Sequence, residues 1–123
     1  MGVPTGPGGY EKYQEWFSNR KVGAVNQGVP RFKEEIEELQ RDIEEVPWDS
    51  FNEEEKVAVA NIALDACRIV CRVSKKQGDI GTKEATGVMF HIGSSLFNMI
   101  TGTEDPFEGA GLDLILMSDD EMG

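Results

Sequence analysis

The chain has one histidine, two cysteines and no long apolar run, and its 12 bases face 23 acids. Each shortage excludes something. The only set of metal-ligand candidates is Cys67, Cys71 and His91. Metal centres gather two to four such groups, but cysteines on an apolar helix usually serve as small hydrophobes. No metal or other cofactor is expected. Two cysteines do not make a disulfide framework, and an i,i+4 bridge along a helix would be strained, so buried free thiols are expected. Nucleophilic catalysis needs a base beside the nucleophile, and His91 is the sole histidine on offer. Ser94 and Ser95 follow it by three and four residues, the spacing of ordinary helix neighbours. The glycine-rich start MGVPTGPGG lacks the preceding strand and the lysine of a phosphate-binding loop. The acids fall in runs (Glu34-Glu35, Glu37-Glu38, Glu53-Glu54-Glu55) that read as solvated surface rather than as converging acid–base pairs. No catalytic residue emerges, and an enzyme is not expected.

The net charge of −11 repels phosphate backbones and anionic lipid headgroups at long range. Direct binding to nucleic acid or to a membrane surface is therefore not expected, whereas a protein partner with a basic surface fits the sign. No stretch reaches the roughly 18 apolar residues of a membrane span. The amino terminus lacks the basic-then-apolar pattern of a secretory signal. An intracellular location, cytoplasmic or nuclear, is the expectation.

A length of 123 residues suits one domain. Residues 1–9 hold four glycines and two prolines, and residues 103–123 hold seven acids and no base. Such segments bury too little apolar area to offset the entropy of ordering. A flexible amino terminus, a helical domain over 10–102 and an acidic tail follow. Within the domain, Tyr10, Tyr13, Trp16 and Phe17 share one face of a first helix, which Gly23 and Gly28 are expected to end in a loop. Pro30 suits the first turn of a second helix. In that helix Phe32, Ile36, Leu39, Ile43 and Val46 form a seam with acids around most of the remaining surface. Pro47 ends it, and Ser50 with Glu53 can form a capping box for a third helix over about 52–76.

The third helix is apolar through most of its circumference, so it must be surrounded. Its polar stripe is Asn61, Asp65, Arg68 and Arg72, in which Asp65 and Arg68 can pair. Thr82 is expected to cap a fourth helix reaching about Ile100, with Ala85, Val88, Met89, Ile92, Leu96, Met99 and Ile100 towards the core. Gly87, Gly93, Ser94 and Ser95 suggest close approach of another helix. The fold class is all-α, a small four-helix bundle-like domain.

Residues 31–56 carry eleven acids and four bases, while Arg68, Arg72, Lys75, Lys76 and Lys83 gather around the end of the third helix. The tail is the sharpest feature. In LDLILMSDDE (112–121), Leu112, Leu114, Ile115 and Leu116 run into Asp119, Asp120 and Glu121. This resembles a SUMO-interacting motif, and the resemblance implies a strand added to the edge of the modifier's sheet with acids meeting a basic groove. The same residues are similar to an acidic-hydrophobic docking segment, and Ser118 with the following acids resembles an acidophilic kinase site. A third reading packs 112–117 on the bundle.

Together these features point to a non-enzymatic protein–protein interaction module, an adaptor or regulatory protein or an accessory protein of viral type. It would bind through the tail, the acidic second helix (Glu34, Glu37, Glu38, Glu45), or both. Two alternatives stand beside it. One is an acidic inhibitor, whether an immunity protein or a nucleic-acid mimic, of a basic protein. The other is a self-assembling homo-oligomer that uses the apolar third helix as its interface.

Overall fold

Local signals place each helix boundary in a computed structural model that describes residues 9–102. The helices are α1 (Glu11–Gln27), α2 (Phe32–Glu45), α3 (Glu53–Gln77) and α4 (Thr82–Thr101), with a 3-10 turn at Trp48–Ser50. No strand occurs among the described residues, so the domain is all-α. No described helix is long and apolar enough to cross a membrane. The expectations for residues 1–8 and 103–123 lie outside the described residues.

Several boundaries differ from the sequence expectation. Helix α1 continues through Gly23, which is tolerated inside a helix at a cost of about 1 kcal/mol. It stops at Gly28, whose φ of 80° only glycine adopts without strain. Pro30 lies ahead of α2 rather than in its first turn, and the extended Arg31 is the N-cap. The capping box is Asn52 with Glu55, not Ser50 with Glu53: Asn52 Oδ1 accepts from the Glu55 amide at 2.8 Å, and Glu55 Oε1 accepts from the Asn52 amide at 2.9 Å. Ser50 is occupied in the 3-10 turn, where its hydroxyl donates to the Pro47 carbonyl. Gly81, not Thr82, is the N-cap of α4, and no side chain caps that end.

Helix α3 packs against α1, α2 and α4, and this explains why its sequence is apolar on most sides. Val59, Ala60, Ala63, Leu64, Ala66, Cys67, Val70 and Cys71 are buried on it. Trp16 pairs with Asp42 and Arg20 with Glu35, so α2 runs antiparallel to α1. Tyr13 meets Phe51, Lys21 meets Asp65 and Val29 meets Gln77, so α1 and α3 run parallel. The four-residue turn 78–81 folds α4 back along α3. Gly78, at φ 83°, closes α3 in the left-handed conformation.

Every residue of the α2 seam is buried: Phe32, Ile36, Leu39, Ile43 and Val46. On α4, Ala85, Met89, Ile92 and Leu96 are buried, and Val88, Met99 and Ile100 pack partly buried against the core. Trp48 and Val29 join the core from connecting segments. The Trp48 indole donates to the Ile43 carbonyl at 2.8 Å, which satisfies its N–H in the interior. Gly93 is buried, as close packing of α4 requires, but Gly87 is exposed and a Cβ there would meet nothing within 4 Å. Close helix approach therefore does not account for Gly87.

Candidate functional site: a charged face on the second helix

The seam of α2 faces α3, and the helical period then fixes what each flank presents. Glu35 and Asp42, seven residues apart, point to α1. Gln40, on the opposite flank, reaches α4, where its amide nitrogen lies 2.8 Å from His91 Nε2. Glu34, Glu38, Arg41 and Glu45 line the outward face at spacings of four, three and four, with Glu37 beside them, and all five are exposed. The sequence-predicted acidic residues of the helix are thus brought to one side. They are not equivalent. Glu34 accepts from Arg31 at 3.3 Å and Glu38 lies 3.6 Å from Arg20. Glu37 and Glu45 make no hydrogen bond or ion pair among the described residues. Arg41 sits in the middle of the stripe and divides it.

The flank towards α1 was not legible as a site. Asp42 is only 3% exposed. Its Oδ2 accepts from Trp16 Nε1 at 3.0 Å and from Arg20 Nη2 at 2.8 Å. Arg20 Nη1 donates to Glu35 Oε2 at 2.6 Å. Burial alone would lower the Arg20 pKa, but its hydrogen bond to Glu35, the charges of Asp42 and Glu35 and the bond to Asp42 together raise it. Trp16 and Arg20 are four apart on α1, as suits two groups reaching the same partner. The expectation that Glu35 is a solvated acid like its neighbours is corrected: it is half-buried and closes this cluster. Arg20 Nε is buried without a hydrogen-bond partner among the described residues.

Beside the cluster lies an open groove of about 460 Å³, lined by Trp16, Asn19, Arg20, Gln27, Pro30 and Glu35 among others. Beyond the backbone of its own helix and its chain neighbours, no atom of the described residues lies within 4 Å of where a Cβ on Gly23 would project.

A second cluster joins α1 to α3. Lys21 Nζ donates to Asp65 Oδ2 at 2.7 Å, and Arg68 Nε donates to Asp65 Oδ1 at 3.0 Å. The expected Asp65–Arg68 pair is therefore present, with Lys21 added from α1. Burial pushes the Asp65 carboxyl up, but hydrogen bonds from Lys21 and Arg68 and their charges outweigh it and hold the pKa below the usual range.

Cys67 and Cys71 are buried free thiols. The neighbouring Cys71 thiol and burial push the Cys67 pKa well up, whereas the Cys67 thiol draws that of Cys71 down against burial, which acts to raise it. Among the described residues, no three His, Cys, Asp or Glu side chains are gathered to hold a metal ion. The tail residues Leu112, Leu114, Ile115, Leu116, Asp119, Asp120 and Glu121 lie outside the described residues. Comparison with family models, curated proteins and solved structures gives no match.

Proposed function

We propose that this chain is a non-enzymatic interaction module that engages a basic protein surface through the outward face of α2, with segment 112–121 as a second docking element. One observation carries the reading. Helix α2 spends its whole apolar seam on the core while turning Glu34, Glu37, Glu38 and Glu45 to solvent, two of them without partners among the described residues. Surface carboxylates that contribute little to folding are free to steer a basic partner and speed its association. The apolar circumference of α3 gives less support to self-assembly, because three helices pack around it and Val57 is its one large hydrophobic residue classed as exposed. The same acidic face fits an adaptor or an inhibitor of a basic protein.

The test is affinity capture from the cell that carries the protein, at low salt and at 1 M salt, where the Debye length falls to about 3 Å. Three baits are used: the full chain, a Glu34→Gln/Glu37→Gln/Glu38→Gln/Glu45→Gln variant, and a Leu114→Ala/Ile115→Ala variant. Salt-sensitive partners lost by the first variant support the face of α2. Partners lost only by the second variant move the function to the tail. Partners that survive both variants and high salt refute the reading.

A further inference from the structure

The helix directions sort the charges by end. Because α1 and α3 run one way and α2 and α4 the other, the carboxyl end of α2 and the amino end of α3 share one end of the bundle. Residues 41–56 there carry seven acids and two bases. The carboxyl end of α3 and the start of α4 share the opposite end. There Arg72, Lys75, Lys76 and Lys83 are exposed and make no hydrogen bond or ion pair among the described residues. Asp79 and Glu84 are the acids among them, leaving residues 72–84 at a net +2. Lys75 and Lys76 complement the negative end of the α3 dipole. The amino end of α4 lies at the same end with no side-chain cap, so its free N–H groups favour an anion as well.

The acidic tail leaves from the wrong end for its charge. Gly102 closes α4, beside the acidic amino end of α3, and the residues after it add seven acids and no base. Repulsion at the point of departure and attraction at the far end act in the same direction. The span is the length of α4, about 30 Å at 1.5 Å per residue. Seventeen peptide bonds lie between Gly102 and Asp119, and a peptide of that length reaches at most about 60 Å, with a coil average of roughly 20–25 Å. A linker whose average length is close to the span gives an effective concentration in the millimolar range. That favours the chain's own tail over a second copy at micromolar protein.

We propose that the basic end formed by Arg72, Lys75, Lys76 and Lys83 is a docking surface for the acidic segment Asp119–Glu121 of the same chain. The contact withholds the tail from outside partners until a stronger basic surface competes for it. Phosphate on Ser118 would tighten the contact. The consequence for partners rests on the proposed function of the tail; the contact does not.

The test uses the full chain carrying Ser118→Cys with a nitroxide label. Residues Cys67 and Cys71 are 0% and 4% exposed, so the new cysteine is the one labelled in the native protein. The expected result is paramagnetic broadening of backbone amide signals over residues 72–84 and not over 41–56. It disappears in 1 M salt, in a Lys75→Glu/Lys76→Glu variant, and in an Asp119→Asn/Asp120→Asn/Glu121→Gln variant that leaves the bundle untouched. No broadening, or broadening centred on 41–56, overturns the proposal. So does broadening in a mixture of isotope-labelled, spin-free chain with unlabelled, spin-labelled chain, because the occupant would then be a second copy. No partner enters this measurement, so its failure is distinct from failure of the capture experiment.

Discussion

Arg20 and Lys21 are adjacent and alike in charge, yet they leave α1 in different directions and meet different environments. Arg20 turns to α2 and meets Asp42 and Glu35, with its side chain 13% exposed and that of Asp42 5% exposed. Lys21 turns to α3 and meets Asp65, with side chains 32% and 24% exposed. Both clusters bridge helices at hydrogen-bonding distance, so distance does not separate them; burial does. A charge withdrawn from water depends on its partner, because removing one member leaves an uncompensated ion in a low-dielectric site. A charge still in contact with water is largely rescued by solvent.

The sharpest way to break this comparison is Asp42→Ala. It strips the acceptor from the Trp16 indole and one of the two close carboxylates from Arg20. The expected loss is about 3 kcal/mol, or roughly 10–20 °C in Tm for a domain of this size, read by urea and thermal unfolding. A loss below about 1 kcal/mol would mean that Arg20 is satisfied by Glu35 alone.

Asp65→Asn is the matching change in the second cluster, and it should cost about 1 kcal/mol or less at neutral pH. Its pH signature is more telling than its size. Because the folded-state pKa of Asp65 is depressed, its contribution is fully present above the unfolded value of about 3.9. It is lost as pH falls through the lower folded value. The wild-type chain should therefore lose more stability on acidification across that window than Asp65→Asn does. Parallel stability curves for the two proteins would refute the assignment.

The smallest effect is expected for Glu38→Gln. Glu38 also approaches Arg20, at 3.6 Å, but its side chain is 53% exposed. A change within about 0.5 kcal/mol is expected in equilibrium unfolding. A larger effect would place Glu38 with Asp42 rather than with the solvated face.

Much of the fold was legible because burial follows the helical period. The seam Phe32–Ile36–Leu39–Ile43–Val46 and the all-round apolarity of α3 each announced how they pack. The boundaries were less legible. Gly23 has the local marks of a loop, but helix α1 carries on through it to a second glycine at which φ is positive. Ser50 and Asn52 are both good caps, and the choice fell to Asn52 because the 3-10 turn that buries Trp48 takes Ser50 first. The acidic face of α2 was readable as composition. The cluster of Trp16, Arg20, Glu35 and Asp42 was not, although each pair carries the spacing of a shared face. Spacing says that two residues point the same way; it does not say which helix stands opposite.

By itself, then, the sequence determined the all-α class, most of the helical residues of the core and the strong negative charge, while Val29 and Trp48 joined the core from connecting segments. Hydrophobic period and composition are local properties, carried by each segment before it meets another. The tertiary structure decided which acids are buried and paired, which are left to solvent, and that Arg72, Lys75, Lys76 and Lys83 stand at the end opposite the acids of residues 41–56. Those outcomes depend on helix direction and neighbour, and both arise only when α1, α2 and α4 close around α3.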